Sequence, residues 1–209
     1  MLNVAERFYS IQGESTRAGL PCLFIRLAGC NLRCSYCDSA YTWKEPGRQT
    51  TLQEILEWTD GFPGVMIELT GGEPLLQEEI YPLMETLLER RRTVLVETNG
   101  SISIDRVPGA ATVILDIKCP DSGMDSTIDW DNVERLFIRT GNGSSDEVKF
   151  VLSSEKDFHW ARGIVEQYGL SRTVPVLFSP VSASLEPREL AELILSHNMT
   201  VRLQLQLHK

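Results

Sequence analysis

The chain has 209 residues, enough to bury one proper core, so we expect residues 1–209 to form a single domain. Its composition, 42% hydrophobic and 23% charged residues, is ordinary for a globular protein, and no run approaches the ~18 apolar residues of a membrane span. The formal net charge of −9 argues against binding to duplex nucleic acid, which needs a basic surface.

The number and arrangement of the cysteines bear on the compartment. Five cysteines, an odd number with three clustered, do not resemble a disulfide framework and suit a reducing environment. Residues 1–7 lack the basic and apolar regions of a signal peptide. We therefore expect a cytoplasmic protein.

Strands and helices alternate along most of the chain. Strands are predicted at residues 4–10, 22–27, 65–69, 93–97, 112–117, 147–152, 174–178 and 200–207. Helices are predicted from a capping box at Thr51 and over 80–88, 158–168 and 187–197, with a polar loop at 120–131. Alternating elements form a mostly parallel sheet, and four helices are too few for a closed eightfold barrel. We expect an α/β fold, a partial, open (β/α) barrel of about six parallel strands with a reduced helix count.

Three cysteines directly follow the predicted strand 22–27. Cys30, Cys34 and Cys37 have the spacing C-x3-C-x2-C. Three thiolates on a four-iron cluster leave one iron open to a ligand, whereas electron-transfer clusters and structural zinc sites use four ligands. The alternative is a zinc knuckle with a distant fourth ligand, drawn from Cys22, Cys119, His159, His197 and His208. In the first interpretation, Cys119 is a buried or incidental thiol.

Polar segments end the later strands, where barrel enzymes place their active sites. In residues 69–74, Leu-Thr-Gly-Gly-Glu-Pro, the glycines let the backbone approach a ligand, and Glu73 offers a carboxylate for an ammonium group. Residues 97–100 and 116–118 end the next two strands, and Ser179 ends a later one. Tight turns and a surface ion pair are the structural alternatives for these segments.

Residues near the N-terminus suggest a substrate. A carboxylate such as Glu14 can accept two parallel N–H bonds from an aminopyrimidinone edge, and the Gln12 amide can donate and accept beside it. Arg26 can clamp a carboxylate with two hydrogen bonds. A polar turn and a salt bridge at the barrel rim are the alternatives.

In their order along the chain, these motifs resemble the 7-carboxy-7-deazaguanine synthase family of the radical S-adenosylmethionine superfamily. The segments that carry the resemblance are 8–14, 24–32, 37–39, 69–74, 97–100 and 203–209. The resemblance implies that a 5′-deoxyadenosyl radical from S-adenosylmethionine abstracts a hydrogen from C6 of 6-carboxy-5,6,7,8-tetrahydropterin. The substrate radical rearranges, the hydrogen returns, and 7-carboxy-7-deazaguanine forms with loss of ammonia, on the route to queuosine and other 7-deazapurines.

The resemblance also implies roles for individual residues. It assigns the [4Fe-4S] cluster to Cys30, Cys34 and Cys37. It assigns substrate binding to Ile11, Gln12, Gly13, Glu14, Arg26 and Thr70. It assigns S-adenosylmethionine binding to Tyr36, Cys37, Asp38, Gly72, Glu73, Asp116, Ile117, Lys118 and Ser179. Ser39 stands where the family usually has a threonine that helps to bind Mg²⁺, and Ser15 where it often has a second glycine.

The expected partners follow from the same resemblance. They are a small-molecule pterin, a reductant such as flavodoxin and a second copy of the chain in a homodimer, without nucleic acid or membrane. Two other functions remain open, a glycyl-radical enzyme activase and a non-catalytic iron–sulfur or zinc module. Gln12, Glu14 and Arg26 argue against the activase, whose partner would be a glycine loop of another protein.

Overall fold

The computed structural model describes residues 1–207, so the predicted alternative zinc ligand His208 and the last residue, Lys209, lie outside the described residues. Within that range the strands are β1 Leu2–Ile11, β2 Pro21–Leu27, β3 Arg48–Thr50, β4 Met66–Gly71, β5 Val94–Thr98, β6 Thr112–Asp116, β7 Glu147–Leu152, β8 Val176–Pro180 and β9 Arg202–Leu203. The helices are α1 Tyr41–Lys44, α2 Leu52–Asp60, α3 Ile80–Glu89, α4 Asp131–Gly141, α5 Glu155–Tyr168 and α6 Pro187–Ser196.

All of these strands belong to one sheet, in the order β3-β1-β2-β4-β5-β6-β7-β8-β9. From β2 through β4 to β9 the neighbouring strands run parallel, whereas β1 is antiparallel to both β2 and β3. Over the described residues the sheet has two open edges, β3 and β9. The predicted α/β fold is therefore confirmed as a partial, open barrel, with six longer parallel strands and the two-residue β9.

Alternate residues of the parallel strands face opposite sides of the sheet. One face packs against the helices in the main core, to which β2 contributes Leu23 and Ile25. The other face forms a smaller apolar cluster inside the barrel, made by Cys22, Phe24, Met66, Leu95 and Ile114, with Phe8 packed against it. The interior is thus apolar toward the amino ends of the strands, and polar side chains occupy its carboxyl ends.

Local sequence explains where most helices begin and end. Thr51 and Glu54 form the predicted capping box at the start of α2. Pro82 is the third residue of α3, in the first turn, where its missing N–H has no intrahelical partner to lose. Ser154 caps α5, and Gly169 ends it in the left-handed conformation. No helix within the described range has the length and apolar character needed to cross a membrane.

Five segments differ from the predictions, and the first is the four-residue helix α1, which was not predicted. The helix α4 was not predicted, because only Val133 and Leu136 among its apolar residues are fully buried. Strand β3 was also not predicted, since it is short and polar. The predicted loop 120–131 contains two short 3₁₀ turns. The strand predicted over 200–207 is limited to the two residues of β9. After β9 the tail leaves the sheet, and the Leu207 N–H donates to the Gly13 carbonyl at 3.1 Å.

Two glycines provide a test of this packing. A Cβ on Gly72, in the turn after β4, collides with the Gly29 carbonyl, which belongs to backbone and cannot move aside cheaply. We expect Gly72→Ala to lower the free energy of unfolding by about 3 kcal/mol. Gly163 lies within α5 with open space around it, so Gly163→Ala should raise stability by roughly 0.5–1 kcal/mol. Denaturant unfolding measures both, and equal stability of the two variants contradicts the described loop contact.

Candidate active site

A cavity of about 640 Å³ opens at the carboxyl ends of the parallel strands. This is the end of a barrel at which the polar strand termini converge, as the sequence predicts. Its walls come from the loop after β1, the cysteine loop, strands β2 and β4 to β7, the segment after β8 and the C-terminal tail. The volume is that of a typical small-molecule site.

Most of the predicted site residues line this one cavity. They are Ile11, Gln12, Gly13, Glu14, Arg26, Cys30, Cys34, Tyr36, Cys37, Asp38, Ser39, Thr70, Gly72, Asp116 and Lys118. The structure therefore brings together residues separated by more than a hundred positions in the sequence. Their individual ligands stay predictions, because what the geometry establishes is their common location.

Glu73 does not line the cavity, and its contact with the ammonium group of S-adenosylmethionine stays a prediction. The side chain is fully buried behind the turn after β4. Its oxygens accept hydrogen bonds from the Thr98 hydroxyl at 2.8 Å and from the backbone N–H groups of Asn99 at 2.7 Å and Leu75 at 3.0 Å. Burial raises the pKa of Glu73 to about 7, although these donors oppose the shift. Glu73 therefore fixes the Gly-Gly turn against the end of β5.

Two further predicted residues also lie outside the cavity wall. Ile117 is fully buried in the main core, because alternation along the chain points Asp116 and Lys118 into the cavity and Ile117 away from it. The Ser179 hydroxyl is buried on β8 and has no hydrogen-bond partner among the described residues. The segment after β8 reaches the cavity instead through residues 181–183.

The three clustered cysteines supply the three thiols that a four-iron cluster with one open iron needs. Cys30, Cys34 and Cys37 are free, half-buried and on the same cavity wall. Burial raises the pKa of the Cys30 and Cys34 thiols, and the nearby Lys118 ammonium opposes that shift. A cation beside thiolates offsets the negative charge of a thiolate-ligated cluster, so this donor set fits an iron–sulfur cluster.

The alternative zinc site finds no support in the described residues. No three His, Cys, Asp or Glu side chains within residues 1–207 form a group suited to binding one metal ion. Cys22 and Cys119 are fully buried among apolar side chains. The rings of His159 and His197 pack against each other, with centroids 5.4 Å apart, on the helical layer. Cys119 is thus the buried thiol that the sequence predicts.

A buried network of charges lies across the cavity from the cysteines. Lys149, on β7, is 4% exposed, and its ammonium contacts Glu14 at 2.9 Å, Asp116 at 3.5 Å and Glu97. Lys118 contacts the same Asp116 oxygen at 2.8 Å. Burial alone lowers the pKa of Lys149, but the three carboxylates outweigh it and raise that pKa well above its usual value. Burial likewise raises the pKa of Glu14 and Asp116, and the neighbouring ammonium groups reverse both shifts.

Hydrogen bonds of the Gln12 and Glu14 side chains hold the predicted pterin-binding segment in place. Gln12 donates through its side-chain amide to the Glu68 carboxylate and accepts from the Glu14 N–H at 3.0 Å. Glu14 also accepts from the Gln206 amide at 2.9 Å. Ser15 takes a left-handed φ of 63°, so the turn keeps a glycine-like conformation without glycine.

A second polar wall connects β2 to the cysteine loop. Arg26 donates through Nε to Glu6 at 2.9 Å and approaches the Ser39 hydroxyl through Nη1 at 3.5 Å. The Ser39 hydroxyl donates to the Asp38 carboxylate at 2.9 Å. The rim salt bridge considered for Arg26 is therefore present, and the same guanidinium also lines the cavity.

Among the ionisable residues that line the cavity, sequence reasoning missed Glu68 and Lys149. Both lie in the interior of apolar strands, and both are almost fully buried. The available signal was the charge itself, since a buried strand seldom carries an ionisable side chain without a partner or a function. Only the register of the sheet shows that each faces inward.

Removing the central ammonium tests the network. Lys149→Met leaves Glu14, Glu97 and Asp116 without their common cation, and we expect a loss of about 3–5 kcal/mol in unfolding free energy at pH 7.5. The pKa values of Glu14 and Asp116 are lowered in the native protein, so this stabilisation is lost as pH falls through them. The difference in unfolding free energy between the unmodified protein and Lys149→Met should therefore become smaller as the pH falls toward 4.

The matched control is Lys156→Met. Lys156 pairs with Asp121 at 2.6 Å, but its side chain is 68% exposed, so the change should stay within about 0.5 kcal/mol. Denaturant unfolding at several pH values measures both variants. A Lys149→Met protein as stable as the control, or a gap that widens in acid, contradicts the network.

Comparison with known proteins gives consistent results. A family model described as the radical SAM superfamily matches residues 24–116. A protein named 7-carboxy-7-deazaguanine synthase from Chlorobaculum tepidum is 42% identical over 208 residues, which cover 100% of this chain and 93% of that protein. One of the same name from Koribacter versatilis is 40% identical over 223 residues, covering 100% and 96%. The crystal structure of QueE from Escherichia coli matches with a TM-score of 0.78 over 98% of this chain and 93% of that one, and at 21% identity it supports the fold.

Proposed function

Because the chain belongs to the 7-carboxy-7-deazaguanine synthase family, we propose that it catalyses the family's radical-mediated ring contraction. The substrate is 6-carboxy-5,6,7,8-tetrahydropterin, and the products are 7-carboxy-7-deazaguanine and ammonia, for queuosine or another 7-deazapurine. The observation that carries the proposal is a single cavity lined by both the three cysteines and the Gln12, Glu14 and Arg26 side chains. A glycyl-radical activase or a metal-binding module has no need of that second set.

Cys30, Cys34 and Cys37 hold the [4Fe-4S] cluster of this superfamily in the proposed enzyme. When bound, the cluster and S-adenosylmethionine supply the carbon radical that starts the reaction. The protein contributes the surrounding wall, formed by Tyr36, Asp38, Gly72, Asp116 and Lys118. Within the described chain Asp116 keeps one carboxylate oxygen without a hydrogen-bond partner, so an acceptor is available there to a ligand hydroxyl or amino group.

Glu14, Arg26 and Thr70 bind the substrate in this proposal. Lys149 holds the Glu14 carboxylate in its ionised form, which can accept the N–H groups of the aminopyrimidinone edge. The Arg26 guanidinium clamps the substrate carboxylate, and its Nη2 makes no hydrogen bond within residues 1–207. Precise placement of the substrate beside the radical source is the protein's share of the catalysis.

Anaerobic assay of the reconstituted protein tests the function. With carboxytetrahydropterin, S-adenosylmethionine, a reductant and Mg²⁺, we expect deazaguanine product detected by mass spectrometry. Cys34→Ala should lose the brown cluster absorbance and the product, whereas Cys119→Ala, which changes a thiol buried in the core, should keep both. Formation of deoxyadenosine without deazaguanine contradicts the substrate assignment. Protein that contains stoichiometric zinc and no iron contradicts the iron–sulfur radical chemistry.

We further propose that Mg²⁺ binds between the Ser39 hydroxyl and the substrate carboxylate. The donors present fit this ion, because Ser39 and Asp38 offer hard oxygen ligands on the cavity wall. Mg²⁺ usually completes its coordination shell with water and substrate oxygens. Ser39→Ala should raise the Mg²⁺ concentration for half-maximal activity about tenfold, and Ser39→Thr should leave it near the original value. Metal titration of the assay measures this, and unchanged Mg²⁺ dependence in Ser39→Ala argues against the site.

A one-electron carrier such as flavodoxin reduces the cluster in the proposed enzyme. The cysteine loop exposes three side chains between its cysteines, those of Asn31, Arg33 and Ser35. A protein partner can therefore approach this loop. Bleaching of the cluster absorbance by reduced flavodoxin tests the partner. A cluster that dithionite bleaches but reduced flavodoxin does not would contradict this partner.

The remaining proposals concern the whole chain. We propose one domain over residues 1–209, since β1 and β9 share a sheet, and a single cooperative unfolding transition tests it.

The family resemblance favours a homodimer, and Ile138 and Leu195 are exposed apolar side chains available for it, so light scattering that reports a monomer would contradict this. Five free cysteines support a cytoplasmic location, testable by cell fractionation.

A further inference from the structure

Glu68 is a buried carboxyl group that the proposed reaction has not used. It lies on β4 between Met66 and Thr70, which face the same side of the strand. In the sheet its neighbours are Phe24 on β2 and Leu95 on β5. Glu68 is 3% exposed and lines the cavity. A carboxyl group therefore stands among the apolar side chains at the inner end of the cavity.

The hydrogen bonds of Glu68 differ from those of the other buried carboxyl groups. Glu73 and Glu147 each accept hydrogen bonds from several protein donors. Glu68 has one hydrogen-bond partner within residues 1–207, the Gln12 amide, which donates to Oε2. The Lys149 ammonium, whose charge acts on Glu68, makes its ion pairs with three other carboxylates. Oε1 of Glu68 is thus left for a group that enters the cavity.

The surroundings of Glu68 also determine its protonation. Burial and the negative charges of Glu97 and Glu14 raise the pKa of Glu68 well above its usual value, against the smaller effects of Lys149 and Gln12. This shift favours the protonated carboxylic acid over the carboxylate. Because Oε2 accepts from Gln12, the proton belongs on Oε1, and the group presents a donor to the cavity.

We propose that Glu68 is a specificity-determining residue that donates a hydrogen bond to the carbonyl oxygen of the substrate's pyrimidinone ring. This inference rests on the proposed function. The ring presents that acceptor beside the N–H groups assigned to Glu14. The Gln12 side chain bridges Glu68 and the Glu14 backbone, and so fixes the spacing of the two recognition groups.

Two substitutions at this position separate recognition from folding. Glu68→Gln keeps a donor and an acceptor without a charge, whereas Glu68→Leu removes both and suits the apolar surroundings. Binding of the stable analogue 6-carboxypterin to the reconstituted protein is measured by calorimetry. Glu68→Gln should change its Kd less than about threefold, and Glu68→Leu should raise it about 10- to 100-fold. The Kd of Glu68→Leu for S-adenosylmethionine should stay unchanged, and its melting temperature should not fall below that of the unmodified protein.

A second ligand tests which atom is recognised. In 2,4-diaminopteridine-6-carboxylate an amino group replaces the carbonyl oxygen. The unmodified protein should prefer 6-carboxypterin, and Glu68→Leu should lose at least about tenfold of that preference. Equal preference in both proteins overturns the proposal, as does a Glu68→Gln defect as large as that of Glu68→Leu. If Glu68→Leu does not fold, Glu68→Met takes its place, because methionine has a similar length and no hydrogen-bond donor, and the same loss of preference is expected.

Turnover separates this inference from the proposed function. Unmodified protein that binds 6-carboxypterin but forms no deazaguanine contradicts the function and leaves the recognition by Glu68 measurable. Protein that does not bind the pterin overturns both. Protein that turns over normally, with the same KM in Glu68→Leu, overturns only the role of Glu68.

Discussion

The contact of the Lys149 ammonium with three carboxylates determines how the cavity is assembled. Burying several carboxylates close together is costly unless a cation compensates them. Here Glu14 comes from the loop after β1, Glu97 from β5 and Asp116 from β6, and all three meet one side chain from β7. The N-terminal loop is thereby tied to strands on the far side of the barrel interior, with which it makes no sheet pairing.

This contact has a consequence for chemistry that depends on position. A radical generated at the cysteine loop reacts only with a C–H bond held close to it, so the substrate-binding loop must be fixed relative to that loop. Asp116 takes part in both regions, since one of its carboxylate oxygens contacts both Lys149 and Lys118, and Lys118 in turn lies near the thiols. The ion pairs therefore connect the two halves of the cavity directly.

Much of the site was predictable because its signals are local. The cysteine spacing, the Gly-Gly turn and the polar strand ends are short patterns, and parallel strands bring their carboxyl ends together. The inward residues Glu68 and Lys149 were not predictable, because their direction depends on sheet register. The burial of Glu73 behind the turn was not predictable either, since a sequence does not tell which side of a turn a side chain takes. The tail after β9 was misread as strand because its pairing with Gly13 is set by tertiary contact.

In the proposed enzyme, one cavity places a pterin between the cysteine loop and the N-terminal loop. An anaerobic crystal structure with the cluster, S-adenosylmethionine and carboxytetrahydropterin bound measures this most directly. We expect the pyrimidinone edge within roughly 3 Å of Glu14, and the substrate carboxylate within roughly 3 Å of Arg26. A pterin bound elsewhere, or a Glu14 carboxylate that stays with Lys149 and Gln206 alone, contradicts the account.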